Sequence, residues 1–594
     1  MQNEENNITT NESPKKHRLR KGILRSLLGV FIFLTIIFLT LQLTVVQTYL
    51  ANQFANYLSE KTNTEIKLDR LSINGLLSVD LFGLNVIDQE DSLMVNSKQI
   101  SLDIRLLDLL DDKLTITNIF IDSTYFALRE DHRDTVLNLM KIIDYFETSD
   151  TSTSQSDIQI IVDRLNIQNA HYVMYLWSAT SFDDGGMNYT DLDVKNVNLI
   201  INDFHVSGDS LIGNLEHLSA LEKCGFELDE FAGDVIVSPR EIIIDYFKLR
   251  TPKSWAYANF EMHYNEWPDW LEFIDQVRFK TQFDSASIFL DDIKYFAPVM
   301  EGMHDSIRFS GLVRGPISNM KLRKGRVFIG KGTHYIGDIN LQGLPDIDQS
   351  FMLIKAKSIR TNYHDLSNFV LPDNQRLSIP EIVKKLGNIN ISGRFTGFYN
   401  DFVSNARYRT ALGQFTTDIL LQPHNEKDGV LEYHGRLTTK NFHLGSLLNI
   451  KNYGGVSMTA AIDGIGLDKN AEATYNIDIA SIFVSKYEYN DVTLKGDIQN
   501  QRITAYLESK DGKFNLNVDG YYDYKDTLPA YKAHINVKNA RVARLFLLDE
   551  DTIGHLSGII DIDMEGNNLD NVSGLLSIDS LEYLYKDKTF RSDH

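Results

Sequence analysis

The chain has 594 residues and a formal net charge of −22, with 43% hydrophobic and 24% charged side chains. That length is too great for one compact core, so either roughly three or four globular domains or a repeating architecture is required. Residues 1–26 carry six basic and three acidic side chains, so the remainder holds the whole negative balance and three charges more; a body so acidic repels phosphate backbones, and no nucleic-acid partner is expected.

Proline is scarce at 11 residues, while 27 Tyr, 32 Phe and abundant Ile and Val favour strands over helices. The lone Cys224 permits no intrachain disulfide and leaves the redox compartment open.

In chain order, the first signal is a basic cluster (Lys15, Lys16, Arg18, Arg20, Lys21, Arg25) at the end of a tail covering residues 1–26. Residues 27–46 follow, without a charge; as a helix they span roughly 30 Å, the thickness of a bilayer core. Leu27, Phe31, Leu34, Phe38, Leu41 and Val45 are its predicted anchor residues. The apolar run is longer than a signal peptide's, and no small-x-small site precedes Gln47-Thr48-Tyr49-Leu50, so the segment reads as an uncleaved anchor. Basic residues ahead of the span place the N-terminus in the cytoplasm and everything after Tyr49 outside it.

Val46, Leu50, Phe54 and Tyr57 then recur at helical spacing, an amphipathic helix leaving the membrane. Short strands are predicted next: Ile66, Leu68, Leu71 and Ile73, then Leu81, Leu84 and Val86. Ile100, Leu102, Ile104 and Leu106 alternate with Ser101, Asp103 and Arg105, the period of a half-buried strand. A helix is predicted over residues 134–146, where Val136, Leu139, Met140, Ile143 and Phe146 share a face. Residues 148–157 contain no apolar side chain and read as a linker, dividing a first β region (47–147) from a repetitive one (158–594).

Alternation dominates the second region. Ile389 and Ile391, then Tyr475, Ile477 and Ile479, then Phe514, Leu516 and Val518, and finally Ile560, Ile562 and Met564 are each separated by a single residue, polar in every gap. Each strand therefore has one wet face and one apolar face. A short helix is predicted over 265–276, with Trp267, Trp270, Leu271 and Ile274 packed on a sheet edge. Pairs of apolar residues three apart recur at Leu290/Ile293, Leu366/Phe369, Leu444/Leu447 and Val542/Leu545. In three cases the next strand opens with Ser-Gly (Ser310-Gly311, Ser392-Gly393, Ser557-Gly558), and such drifting self-similarity points to stacked units.

No catalytic, cofactor or metal residues are assigned. Residues 325–332 nearly spell a phosphate-binding loop, but Gly332 replaces the hydroxyl residue that holds magnesium, and Val327 and Ile329 alternate as in a strand, so the stretch reads as a basic hairpin. The histidines are dispersed, Asp549-Glu550-Asp551 lacks the spacing of a calcium loop, and no G-x-S-x-G elbow marks a nucleophile.

The segments IKLDRLSINGLLSVDLFGLNVID (66–88) and ISLDIRLLDLLDDKLTITNIFIDSTYFAL (100–128), placed after a basic head, one span and an amphipathic exit, resemble the start of TamB/AsmA-like proteins. SGRFTGFYNDF (392–402) and SGIIDIDMEGNNLDNVSG (557–574) resemble that family's recurrent strand-turn signature. The resemblance implies a mostly β protein: one N-terminal transmembrane helix, then an elongated, curled antiparallel sheet of some forty strands forming a groove, with a few short helices. It implies an inner-membrane protein with its bulk in the periplasm of a Gram-negative-type envelope, no cofactor, phospholipids as cargo, and an outer-membrane β-barrel protein of the TamA/BamA type as a distal partner. A scaffold for outer-membrane β-barrel assembly is the second function so implied; an enzyme on a membrane stalk is a separate reading that a pocket gathering perturbed titratable residues would support. The family's C-terminal domain is not recognisable after LEYLYKD (581–587), so the chain reads as a fragment or a shorter relative. Alternation by itself leaves an open groove and a closed sandwich equally admissible.

Overall fold

The computed structural model describes residues 15–593 apart from short breaks, the longest at 150–158, 179–185 and 548–553. Structural statements below concern the described residues. The chain is mostly β, with one long apolar helix at the N-terminus and a few short helices elsewhere.

Helix α1 (Lys15–Leu41) holds an 18-residue stretch, Leu24–Leu41, apolar enough to cross a membrane. Thr35 and Thr40 donate their hydroxyls to the carbonyls of Phe31 and Ile36 (2.7 and 2.8 Å), which removes their polar cost. The helix stops at Leu41 rather than continuing to residue 46, because Leu43 takes an extended conformation (φ −73°, ψ 120°). Val45, predicted as an anchor residue, therefore lies in the first turn of a second helix, α2 (Thr44–Thr62), where it is 81% exposed. Asn63, left-handed at φ 51°, ends α2.

Two compact units follow from the chain's internal contacts. The first comprises Met1–Ser238 and Ile244–Pro252. Its strands are β1 (Glu65–Lys67), β2 (Arg70–Asn74), β3 (Ser78–Ile87), β4 (Leu93–Arg105) and β5 (Lys113–Arg129). After α3 (Asn138–Ser149) come β6 (Gln159–Tyr175), β7 (Asp191–Ser207), β8 (Ser210–Glu222), β9 (Glu227–Val237) and β10 (Glu241–Arg250). Among the described residues, the strand pairs of this unit are antiparallel, with one exception. β5 and β6 run parallel from Lys113↔Gln159 to Arg129↔Tyr175, and α3 lies in the crossover that a parallel pair needs. The sheet is thus mixed where an antiparallel one was expected. The predicted linker at 148–157 begins inside α3, and its residues from 150 onward lie outside the described ones. Because β5 and β6 pair across it, it falls within one unit, and the division lies around β10.

The second unit comprises Pro239–Ile243 and Lys253–His594. It contains β11 (Trp255–His263), α4 (Phe273–Gln276), β12 (Arg278–Phe289), α5 (Leu290–Ile293), β13 (Ser306–Gly315), β14 (Asn319–Ile329) and β15 (Thr333–Gln342). Next are β16 (Phe351–Asn362), α6 (Tyr363–Asn368), β17 (Asn388–Gly397), β18 (Phe402–Thr410), β19 (Gly413–Pro423), β20 (Leu431–His443) and α7 (Leu444–Leu448). Then come β21 (Tyr453–Ile465), β22 (Glu472–Val484), β23 (Tyr487–Gln499), β24 (Arg502–Asp511), β25 (Phe514–Asp523) and β26 (Ala530–Arg541). The last are α8 (Val542–Leu545), β27 (His555–Glu565), β28 (Ser573–Tyr585) and β29 (Lys588–Ser592). From β11 to β29 every strand pairs antiparallel with the next in sequence. The 29 strands are fewer than the forty expected, because most run nine to seventeen residues where short strands were anticipated.

The repeated apolar pairs turn out to be one-turn helices. Leu290/Ile293 opens and closes α5, Leu444/Leu447 lies in α7, Val542/Leu545 bounds α8, and Leu366/Phe369 falls at the end of α6. Each helix follows a strand whose pairing with the next strand skips two residues: Phe283/Ala286, Ala356/Ile359, Thr439/Phe442 and Val537/Ala540. A bulge bends the strand end, and the helix turns the chain back into the ladder. All four helices join an even-numbered strand to an odd-numbered one, so in this antiparallel meander they occupy a single rim of the sheet.

The near-match to a phosphate-binding loop is the β14–β15 hairpin, with Gly330 at φ 58° in its turn. Of the helix predicted over 265–276 only α4 is described as a helix; Trp267, Trp270 and Leu271 lie outside the described residues, as do Asp549, Glu550 and Asp551. Phe273 of α4 packs on a small core of Met262, Tyr264 and Val277.

Candidate functional site

Cross-strand partners in a sheet carry their side chains on one face, so the register of the second unit can be read as rows. Leu437, Ala460, Ile477, Leu494, Leu507, Val518, Ile535, Ile560 and Ile578 stand opposite one another in sequence from β20 to β28. Toward β16 the row continues through the smaller Thr417, Ala406, Gly393 and Ala356. One flanking row contains Ile462, Tyr475, Gly496, Ala505, Gly520, Ala533 and Ile562. The other contains Ile391, Tyr408, Phe415, Thr439, Met458, Ile479, Val492, Ser509, Leu516 and Val537. All eleven residues singled out from the sequence, Ile389 and Met564 included, lie on this face. Thirteen strands at ~4.8 Å spacing make the apolar strip about 60 Å wide.

The strip is covered unevenly. Ile477, Leu494, Leu507, Val518, Ile535 and Ile560 are half-buried. A second sheet packed ~10 Å away would close such a row completely. Near the helix rim the same face is sealed: Leu516 is 5% exposed, and Val537, Ala540, Ala543 and Ser509 are buried with it. There α8 is clamped by Tyr489, whose hydroxyl donates to the Arg544 carbonyl (2.8 Å), and by Arg544, whose guanidinium donates to the Glu488 carbonyl (2.9 Å). Ile389 is likewise buried. Leu516 and Ile389 are therefore structural supports of the strip, while Ile477, Val518, Ile560 and Ile562 remain partly exposed.

The first unit repeats the pattern without having been singled out beforehand. Leu71, Leu81, Ile100, Ile121, Ile167, Leu199, Leu218 and Phe231 form a row from β2 to β9, passing through the parallel pair unbroken. The signal that could have found it is the alternation around Ile100, already visible but not extended across strands.

The opposite face carries paired charges. Lys532 meets Asp563 at 3.0 Å, His534 meets Asp561 at 2.7 Å, and Arg502 meets Asp523 at 2.7 Å. His434 lies between Asp463 and Glu432, 2.9 Å from each, and these carboxylates raise its pKa. Lys532 is raised by Asp563 in the same way. A hollow lined by Asp519, Lys532, His534, Asp561 and Asp563 holds matched ion pairs, an arrangement that suits sheet cohesion and provides no nucleophile beside a free base. Among the described residues, no group of three His, Cys, Asp or Glu side chains gathers closely enough to hold a metal ion. Burial pushes the Cys224 thiol up to about 11, which keeps it protonated and unreactive.

No protein-family model, curated protein or solved structure matches the chain.

Proposed function

We propose that the protein is a non-enzymatic conduit for phospholipid in a Gram-negative-type envelope, tethered to the inner membrane by α1, with its N-terminus cytoplasmic and its sheet in the periplasm. The observation that carries this reading is the apolar row from β20 to β28, continuous over nine strands and half covered over the six from β22 to β27. A sixteen-carbon acyl chain costs roughly 12 kcal/mol to expose to water at ~0.8 kcal/mol per CH₂, and apolar contact along the strip offsets much of that cost. Direction then follows the lipid gradient, since passage along a continuous strip requires no nucleotide. The resemblance of the N-terminal segments to TamB/AsmA-like proteins points the same way.

A photo-crosslinking residue at Leu494 or Leu507 tests it in cells. Phospholipid adducts are expected there and at Ile562, with none at Lys495 on the opposite face. Adducts on neither face, or equally on both, contradict the conduit.

The second reading, a scaffold for outer-membrane β-barrels of the TamA/BamA type, is favoured by one feature. Among the described residues, β29 pairs with Leu581–Tyr585 alone, and no strand pairs with residues 573–578 of β28 on that side, beside the exposed Leu575 and Leu576. Open edges accept strands. A proline at Ser577 that spares lipid adducts but abolishes barrel assembly favours the scaffold.

A further inference from the structure

The helix that follows the span turns Gln47, Thr48, Asn52 and Ser59 to the protein and leaves Leu50, Phe54 and Tyr57 exposed on its other side, beside Gln53 and Glu60. Gln47, 5% exposed, accepts from the Ile73 amide (2.8 Å) and donates to the Ile73 carbonyl (3.1 Å), the two bonds a neighbouring strand would make. Thr48 does the same at Leu71, accepting at 3.1 Å and donating at 3.2 Å, and Asn52 donates to the Leu68 carbonyl at 3.2 Å. Ser59 accepts from the Ile66 amide at 2.9 Å. One face of α2 is thereby committed to the edge of β1 and β2.

The other face carries Tyr49, Leu50, Phe54 and Tyr57, which are 63%, 50%, 60% and 51% exposed. At 100° per residue Leu50, Phe54 and Tyr57 fall within about 60° of one another, opposite Thr48, Asn52 and Ser59, while Tyr49 lies apart from them, beyond the exposed Gln53 and Glu60. Aromatic side chains so arranged, with Lys61 one turn beyond Tyr57, match the headgroup boundary of a bilayer, where amphipathic rings settle. Position selects this partner over others. The span ends at Leu41 and α2 starts at Thr44, so two residues separate the stripe's helix from the membrane. The extended Leu43 between them breaks the helix, which lets α2 leave the direction of α1.

We infer that α2 is an interfacial helix: its aromatic stripe lies in the outer leaflet boundary of the bilayer that α1 crosses, while its polar face holds β1 and β2 against that surface. This rests on reading α1 as an anchor and is independent of whether the sheet carries lipid.

Single cysteines in the full-length Cys224→Ser chain, nitroxide-labelled and reconstituted into phosphatidylcholine vesicles with a minority of phosphatidylglycerol, test it by accessibility to oxygen and to a nickel chelate. Labels at Leu50→Cys and Phe54→Cys are expected to be oxygen-rich and chelate-poor, about 5–10 Å below the phosphates, with Glu60→Cys in water. Labels at 50 and 54 as open to chelate as the label at 60, while Leu34→Cys sits in hydrocarbon, overturn the interfacial helix and leave the anchor intact. Dipolar broadening between chains at 50 and 54 overturns it in favour of a second copy. Chelate reaching Leu34→Cys overturns the anchor itself, and this inference with it.

Discussion

Tyr475 and Gly496 face each other across β22 and β23, and the ring lies flat over the glycine so that its hydroxyl reaches the Thr504 carbonyl (2.6 Å) two strands from its own. Tyr433 and Gly464 repeat the pair in the next row out. Such tyrosines smooth the apolar strip without standing up into it. A Cβ at Gly496 would meet the Tyr475 hydroxyl at 2.6 Å and the Thr504 carbonyl at 2.0 Å. Gly496→Ala is therefore expected to cost about 1–3 kcal/mol in thermal unfolding. Gly512→Ala, where nothing lies within 4 Å, serves as the neutral control. Equal losses from both would remove the packing explanation. On the opposite face, His434 titrates above its ordinary value near 6.5, held there by Asp463 and Glu432. A raised folded-state pKa means that the stabilisation is fully present below that ordinary range and fades as pH rises through the raised value. The melting temperature of His434→Gln should fall furthest below that of the parent in mild acid, with the gap closing in mild base. A gap that does not change with pH would place the interaction outside His434.

At the scale of elements, the sequence announced the pieces more clearly than their partners. Alternation at 475–479, 514–518 and 560–564 placed strands and their apolar faces correctly, because a period of two is imposed by the pleat whatever lies opposite. The recurring apolar pairs marked α5 to α8 because a one-turn helix can anchor itself only through residues about one turn apart. Three features were hidden for definite reasons. The parallel β5–β6 pair is set by a crossover that contains α3, which leaves no trace in either strand. Leu516 is buried at the rim where the bulge in β26 and α8 follow, and the alternation around it carries no sign of either. The polar face of α2 reads as solvent-facing until the edge it pairs with is seen. That last device is open to direct test. Gln47→Ala leaves the Ile73 amide and carbonyl without their partner at a half-buried edge, a loss of about 1–3 kcal/mol. Hydrogen exchange at Ile73 should quicken while β22 to β25 stay protected; uniform exchange across the chain would assign Gln47 a global rather than an edge role.

Over the whole molecule, one physical choice recurs: sheets carry polar, ion-paired side chains on one face and a half-covered apolar strip on the other, in both compact units. A protein that buried this strip against itself would lose about 2–5 kcal/mol per large-to-alanine change, the usual core value. Half-covered positions lose less, so Ile477→Ala is expected to cost about 1–2 kcal/mol, since part of its surface is left uncovered by protein. The missing cover should be supplied by lipid, and by linkage a bound ligand raises stability by about 2.7 kcal/mol at a hundredfold excess over its dissociation constant. Monomeric lysophospholipid should accordingly raise the melting temperature of the parent chain. Leu494→Glu combined with Leu507→Lys puts opposite charges on directly paired residues, which preserves the ladder while breaking the row at its middle. That double variant should keep its far-ultraviolet spectrum and fold cooperatively, yet gain little from lysophospholipid. Equal stabilisation of parent and variant would show that the lipid binds elsewhere, and the half-covered strip would then need another occupant.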